Sequence, residues 1–97
     1  MSDLHETDRR PPPHLTLVTS PGCHFCDDAL QALSPFAAER LIELAIVDAG
    51  SPDGGELVRL HRPALFPLVL VDGEFFSAGR LPRRKLADVL GVGRVAV

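Results

Sequence analysis

The run Thr19-Ser20-Pro21-Gly22-Cys23-His24-Phe25-Cys26 decides how this chain is read, because it holds the only two cysteines, spaced C-x-x-C. Before it, His14 to Thr19 (HLTLVT) mixes alternation with β-branched residues and predicts a strand. Ser20-Pro21-Gly22 breaks that strand. From Cys23 the pattern turns helical, with Cys26, Ala29, Leu30 and Leu33 at spacings that share one face. A cysteine at a helix start meets free backbone N–H groups and the positive end of the helix dipole. Both favour the thiolate, the form that attacks disulfides, and can pull a thiol well below its usual pKa of about 8.5. The second cysteine lies one helical turn on, within bridging reach of the first.

These positions suggest roles. Cys23 is expected to attack a substrate disulfide and form a mixed disulfide; Cys26 is then expected to attack the Cys23 sulfur and release the reduced product. His24 sits between the two, and a protonated imidazole there would lower the thiol pKa. Asp27 and Asp28 suit the helix dipole but repel a nearby thiolate.

The rest of the composition narrows the class. Ninety-seven residues make one small domain, 45% of them hydrophobic, and a net charge of −3 gives no reason to expect nucleic acid or an anionic membrane as partner. No apolar stretch has the length of a membrane span. Met1 to Pro13 is polar, ends in Pro11-Pro12-Pro13 and lacks the basic-then-apolar order of a secretory signal. It is expected to be a flexible leader, with the domain at residues 14–97 and the protein in the cytoplasm. Two cysteines in a reducing compartment favour redox or metal chemistry over a permanent staple.

Further along, Leu41 to Val47 (LIELAIV) predicts a second strand, and Ser34-Pro35 is expected to interrupt the first helix near Leu33, with Phe36 to Arg40 able to add another turn. Asp48 to Gly55, with three glycines and a proline, is expected to be a loop, followed by a short helix over Glu56 to His61. Leu68 to Val71 and Phe75 to Ala78 flank Asp72-Gly73, the signal of a tight hairpin. Pro82 to Leu90 closes as a helix stopped by Gly91, with Arg83-Arg84-Lys85 expected on a solvated face. The order β-α-β-α-β-β-α predicts an α/β fold: a four-stranded mixed sheet with helices on both faces, the first two strands parallel and the last two a hairpin.

With this order, Cys23 and Cys26 after the first strand, Pro67 before the third and Asp72-Gly73 in the hairpin, the chain from about His14 to Gly91 resembles the glutaredoxin branch of the thioredoxin fold. The resemblance implies a dithiol oxidoreductase acting on a disulfide-containing protein or a small-thiol mixed disulfide and regenerated by a reducing thiol or a reductase. No cofactor is implied beyond a redox-active Cys23–Cys26 disulfide. It further implies that Pro67 is cis and faces the cysteine pair, leaving the Phe66 backbone to pair with an extended substrate. His24, Phe25, Phe66, Pro67, Gly79 and Arg80 are thus the expected substrate-binding residues. The sequence also departs from the glutathione-using pattern. Ser20-Pro21-Gly22 supplies no basic residue before the first cysteine. After the fourth strand, where a Gly-Gly and acidic residues are common, stands Ser77-Ala78-Gly79-Arg80-Leu81-Pro82, with Arg80 reversing the charge. These departures open the substrate to a protein disulfide or another low-molecular-weight thiol.

Two other classes compete. C-x-x-C is half of a zinc site, yet no second C-x-x-C or H-x₃₋₅-H follows, and His5, His14 and His61 have no spacing that suggests a shared role. A metal or iron–sulfur module would need ligands from outside, such as a cluster shared between two chains through Cys23, as some glutaredoxin relatives do. Asp27 in place of histidine after Cys26 disfavours covalent haem attachment. The remaining class is a thioredoxin-fold interaction domain without redox turnover.

Overall fold

The computed structural model describes residues 11–93. Residues 1–10 of the expected leader and residues 94–97 of the expected domain lie outside them. Among the described residues, four strands and three helices follow in the expected order: β1 (His14–Thr19), α1 (His24–Ala38), β2 (Glu43–Asp48), α2 (Pro52–His61), β3 (Leu68–Val71), β4 (Glu74–Ala78) and α3 (Arg83–Leu90). The sheet order is β2-β1-β3-β4, with β1 and β2 parallel and the other two pairings antiparallel. The central strands β1 and β3 are covered on both faces, and their apolar residues are the most deeply buried of the sheet. Leu15, Leu17, Val18, Leu68 and Val69 are all fully buried.

Alternation along those strands sends their side chains to two separate layers. Leu15, Leu17 and Val69 meet Ala29, Ala32 and Leu33 of α1, together with Leu81, Leu86 and Ala87 at α3. On the opposite face Val18, Leu68 and Leu70 meet Leu57 and Val58 of α2. The helices therefore cover both faces, α1 and α3 on one and α2 on the other.

Three boundaries differ by two residues or more from the sequence reading. Helix α1 runs unbroken through Pro35 to Ala38, where an interruption at Ser34-Pro35 is expected. Pro35 and Gln31 both lie on the exposed side, so the carbonyl that a residue-35 N–H would have bonded is open to solvent. Helix α2 begins at Pro52, within the expected loop: the Ser51 hydroxyl accepts the Gly54 N–H at 3.0 Å, and Pro52 and Asp53 fill the first turn. Gly54 is there for contact, since a Cβ on it would stand 1.9 Å from the Asp48 carbonyl oxygen. Strand β2 starts at Glu43, two residues later than expected, while Leu41 is 44% exposed in the preceding loop.

In the hairpin, Asp72 and Gly73 both have positive φ (51° and 86°), the geometry the Asp-Gly pair favours. A bulge follows: Val69 opposes Ser77 while Leu70 opposes Phe75, so Phe76 is the extra residue on β4. The Lys85 ammonium donates to the Phe76 carbonyl at 3.0 Å and lies 4.8 Å from the centre of its ring. Arg83 is half-buried in an ion pair with Asp28. Of the three basic residues expected on a solvated face, two are thus engaged with the rest of the fold.

Candidate functional site

Strand β1 ends at Thr19, and the turn through Gly22, whose φ of +67° is costly for any other residue, delivers Cys23 to the head of α1. Cys23 is the residue that caps the helix: its φ and ψ of −102° and 107° are extended, and its Sγ accepts the Cys26 N–H at 3.0 Å. The first turn closes when Asp27 N–H donates to the Cys23 carbonyl at 3.2 Å. Cys23 and Cys26 form a disulfide with their Cα atoms 5.2 Å apart. The two sulfurs are not equivalent. Cys23 is half-buried at the helix start, whereas Cys26 packs inward at 5% exposure. An N–H aimed at Sγ of Cys23 stabilises negative charge on that sulfur and on no other.

Register carries the other segments to the same end of the sheet. Leu68, the first residue of β3, lies opposite Val18, next to last in β1, and opposite Ala78, the last of β4. Pro67 and Gly79 therefore flank the end from which β1 runs to Cys23. The Phe66–Pro67 peptide is cis, and Pro67 is fully buried. Among the described residues, the N–H and C=O of Phe66 make no backbone hydrogen bond. The Pro67 carbonyl accepts the Gly79 N–H at 3.0 Å. Gly79 is buried with φ of +96°, and a Cβ there would come within 3.3 Å of two Leu65 side-chain atoms. That glycine is required twice over, by its backbone conformation and by the close side chain.

The next residue, Arg80, is exposed and reaches back to α1, its Cζ 5.6 Å from the centre of the Phe25 ring. Beside it the Asp28 carboxylate accepts two hydrogen bonds from Arg83, at 2.9 and 3.1 Å. Those bonds hold the Asp28 carboxyl below its ordinary value, with burial opposing. Asp28 is therefore satisfied within the fold, whereas Asp27, its neighbour, is exposed. The eight residues singled out in the sequence converge as follows: Cys23, His24, Phe25 and Cys26 at the head of α1, Phe66 and Pro67 before β3, and Gly79 and Arg80 after β4. Sequence reasoning missed two supporting parts. Asp28 pairs with a residue 55 positions away, which no local spacing signals, and Leu65 packs on Gly79 from an irregular segment.

No protein-family model matches the chain, and no curated protein matches it. Solved structures do resemble it. An uncharacterised thioredoxin-like protein from Clostridium perfringens, solved in solution, superposes with a TM-score of 0.65 at 14% identity, covering 90% of this chain and 75% of that one. Thioredoxin from Trypanosoma brucei brucei gives 0.59 at 21% identity, with 94% and 86% covered. Fasciola hepatica thioredoxin gives 0.56 at 16%, with 93% and 90% covered. The protein thus has the thioredoxin fold, with a C-x-x-C disulfide at the head of its first helix. No helix among the described residues is long and apolar enough to cross a membrane.

Proposed function

We propose that the protein is a thiol–disulfide oxidoreductase of the glutaredoxin-like dithiol type, with Cys23 as nucleophile and Cys26 as resolving thiol. The observation that carries this reading is the asymmetry of the pair: Sγ of Cys23 caps α1 and accepts the Cys26 N–H, while Cys26 is buried behind it. In the dithiol form, the same N–H and the helix dipole favour a thiolate on Cys23. That thiolate attacks one sulfur of a substrate disulfide, and the other half leaves as a thiolate. Cys26 gives its proton to solvent and attacks the Cys23 sulfur, which restores the Cys23–Cys26 disulfide and releases the second half. Two electrons pass from the protein to the substrate, and a reducing thiol or a reductase returns them.

The unpaired Phe66 backbone beside Pro67 supports pairing with an extended disulfide-bearing segment, and Phe25, Gly79 and Arg80 border the same end of the sheet. A pair cycling between dithiol and disulfide suits a reducing compartment, and we assign the protein to the cytoplasm on that ground. The test is the pH dependence of alkylation at each cysteine of the reduced protein, read by mass spectrometry. Cys23 is expected to react with an apparent pKa well below about 8.5, with Cys26 protected until the protein is denatured. Equal, slow reaction of both sulfurs would overturn the assignment.

A further inference from the structure

A groove of about 390 Å³ opens against the first turn of α1, lined by His24, Phe25, Asp28, Arg80 and Arg83. Its charges are not evenly matched. The single carboxylate in the lining, Asp28, is occupied by the bidentate hydrogen bonds from Arg83. Asp27, the nearest other acid in sequence, does not line the groove. Among the described residues no carboxylate stands within ion-pair distance of Arg80. The Arg80 guanidinium instead rides on the Phe25 ring, a contact that leaves its N–H donors free at the rim.

Its backbone is held on both sides. Gly79 is buried and bonded to the Pro67 carbonyl, and Leu81 is 2% exposed in the core. Arg80 feels the Asp28 carboxylate only through space, since Arg83 takes both of its oxygens. An arginine fixed at its base, stacked on a ring and without a directly paired carboxylate is a preorganised receptor for one. The ring it stacks on, Phe25, lies within the C-x-x-C turn, two residues after Cys23 and one before Cys26.

We propose that Arg80, stacked on Phe25, is a specificity-determining residue that selects disulfides carrying a carboxylate next to the half that becomes bonded to Cys23. The inference rests on the oxidoreductase reading above and adds the substrate class to it. The carboxylate has two conceivable sources, an acidic side chain flanking a half-cystine in a polypeptide and a small thiol with its own carboxylate. In either case the Cys23 thiolate attacks the sulfur nearer that group. The substrate S–S bond breaks, the far half leaves as a thiolate, and Cys26 then displaces the bound half. The protein dithiol supplies both electrons, and an external dithiol restores it.

The experiment follows single-turnover oxidation of the fully reduced protein, with the Cys23–Cys26 disulfide quantified by mass spectrometry. Three disulfide-linked peptides identical but for Glu, Gln or Lys beside the half-cystine form one arm; dithiodipropionate and dithiodiethanol form the other. The expected result is a preference of roughly tenfold for the carboxylate member in at least one arm, falling as salt is raised. Preference among the peptides identifies an acidic segment, and preference in the second arm a small acidic thiol. In Arg80→Gln the ratio is expected to fall to about one, and in Arg80→Glu the order of the Glu and Lys peptides is expected to invert. Exchange at equal rates across all charges overturns the proposal and leaves the oxidoreductase reading standing. So does a preference that survives in Arg80→Gln. Failure of every disulfide to oxidise the protein overturns both.

Discussion

Replacing Asp28 by asparagine, Arg83 by glutamine, and then both, measures what fastens the head of α1 to the head of α3. The pair is bidentate, at 2.9 and 3.1 Å, and its side chains are 43% exposed for Asp28 and 21% for Arg83. Fully exposed ion pairs couple by about 0.2–1 kcal/mol, and single-point contacts are often worth nothing. Two parallel charge-assisted bonds are stronger than one, but an aspartate this exposed stays screened by solvent. A coupling energy of about 1 kcal/mol follows, near the top of the exposed range. In a domain of this size each such increment moves Tm by about 4–8 °C. Urea unfolding of the four oxidised proteins gives the coupling directly, and the cycle cancels whatever else Arg83 contributes in the single variants.

The pH dependence fixes the sign. The hydrogen bonds from Arg83 lower the folded-state pKa of Asp28, so the unfolded chain takes up the proton first as the solution is acidified. The stabilisation is complete above the ordinary aspartate value of about 3.9 and is lost as pH falls through the lower folded value. Coupling below about 0.3 kcal/mol at pH 7, no larger than the additivity error of distant sites, would refute the reasoning. The two helices would then be held by Leu33, Leu86 and their neighbours alone.

Three further outcomes follow from packing. Gly54→Ala drives a methyl group into the Asp48 carbonyl and is expected to cost more than about 2 kcal/mol, whereas Gly55→Ala, whose Cβ has nothing closer than 3.9 Å, is expected to be neutral or to stabilise by up to about 1 kcal/mol. Comparing their urea midpoints checks the close approach of α2 to the end of β2. Leu17→Ala, at a fully buried site between the sheet and the α1 layer, is expected to lose about 3–5 kcal/mol in the same assay. Lys85→Met keeps much of the stem but removes the donor to the Phe76 carbonyl and is expected to cost about 1 kcal/mol, read from Tm, with no loss expected if that carbonyl is equally well served by water.

The parts of the fold visible in the sequence are those set by short-range chemistry. Strands β1 and β3 fall at their expected bounds, His14–Thr19 and Leu68–Val71, because an alternating, β-branched run and a short apolar run are each bounded by prolines, glycines or the Asp72-Gly73 turn. The start of helix α2 is hidden in the sequence because glycine is a poor helix former on average, while here Gly54 admits the backbone at the end of β2, a long-range demand that local propensity does not register. Helix α1 continues past Pro35, where the sequence predicts an interruption, because the hydrogen bond lost there falls on the solvent side. At the candidate site, the C-x-x-C spacing alone located both sulfurs, and the resemblance supplied Pro67 and Gly79. The stacking of Arg80 on Phe25 and the pairing of Arg83 with Asp28 depend on how β4 hands over to α3, which no periodicity encodes.

That handover has a consequence for how such a protein can change. Between Ala78 and Pro82 the connector offers one outward position, Arg80, because Gly79 and Leu81 on either side are buried. The sulfurs sit on a different stretch of chain, at the head of α1. A substitution at position 80 can therefore alter which molecules are retained while the reacting atoms and their surrounding core keep their places. Under the proposed reading, recognition and reactivity are written at separate addresses, and a lineage, or a designer, can edit the first without rewriting the second.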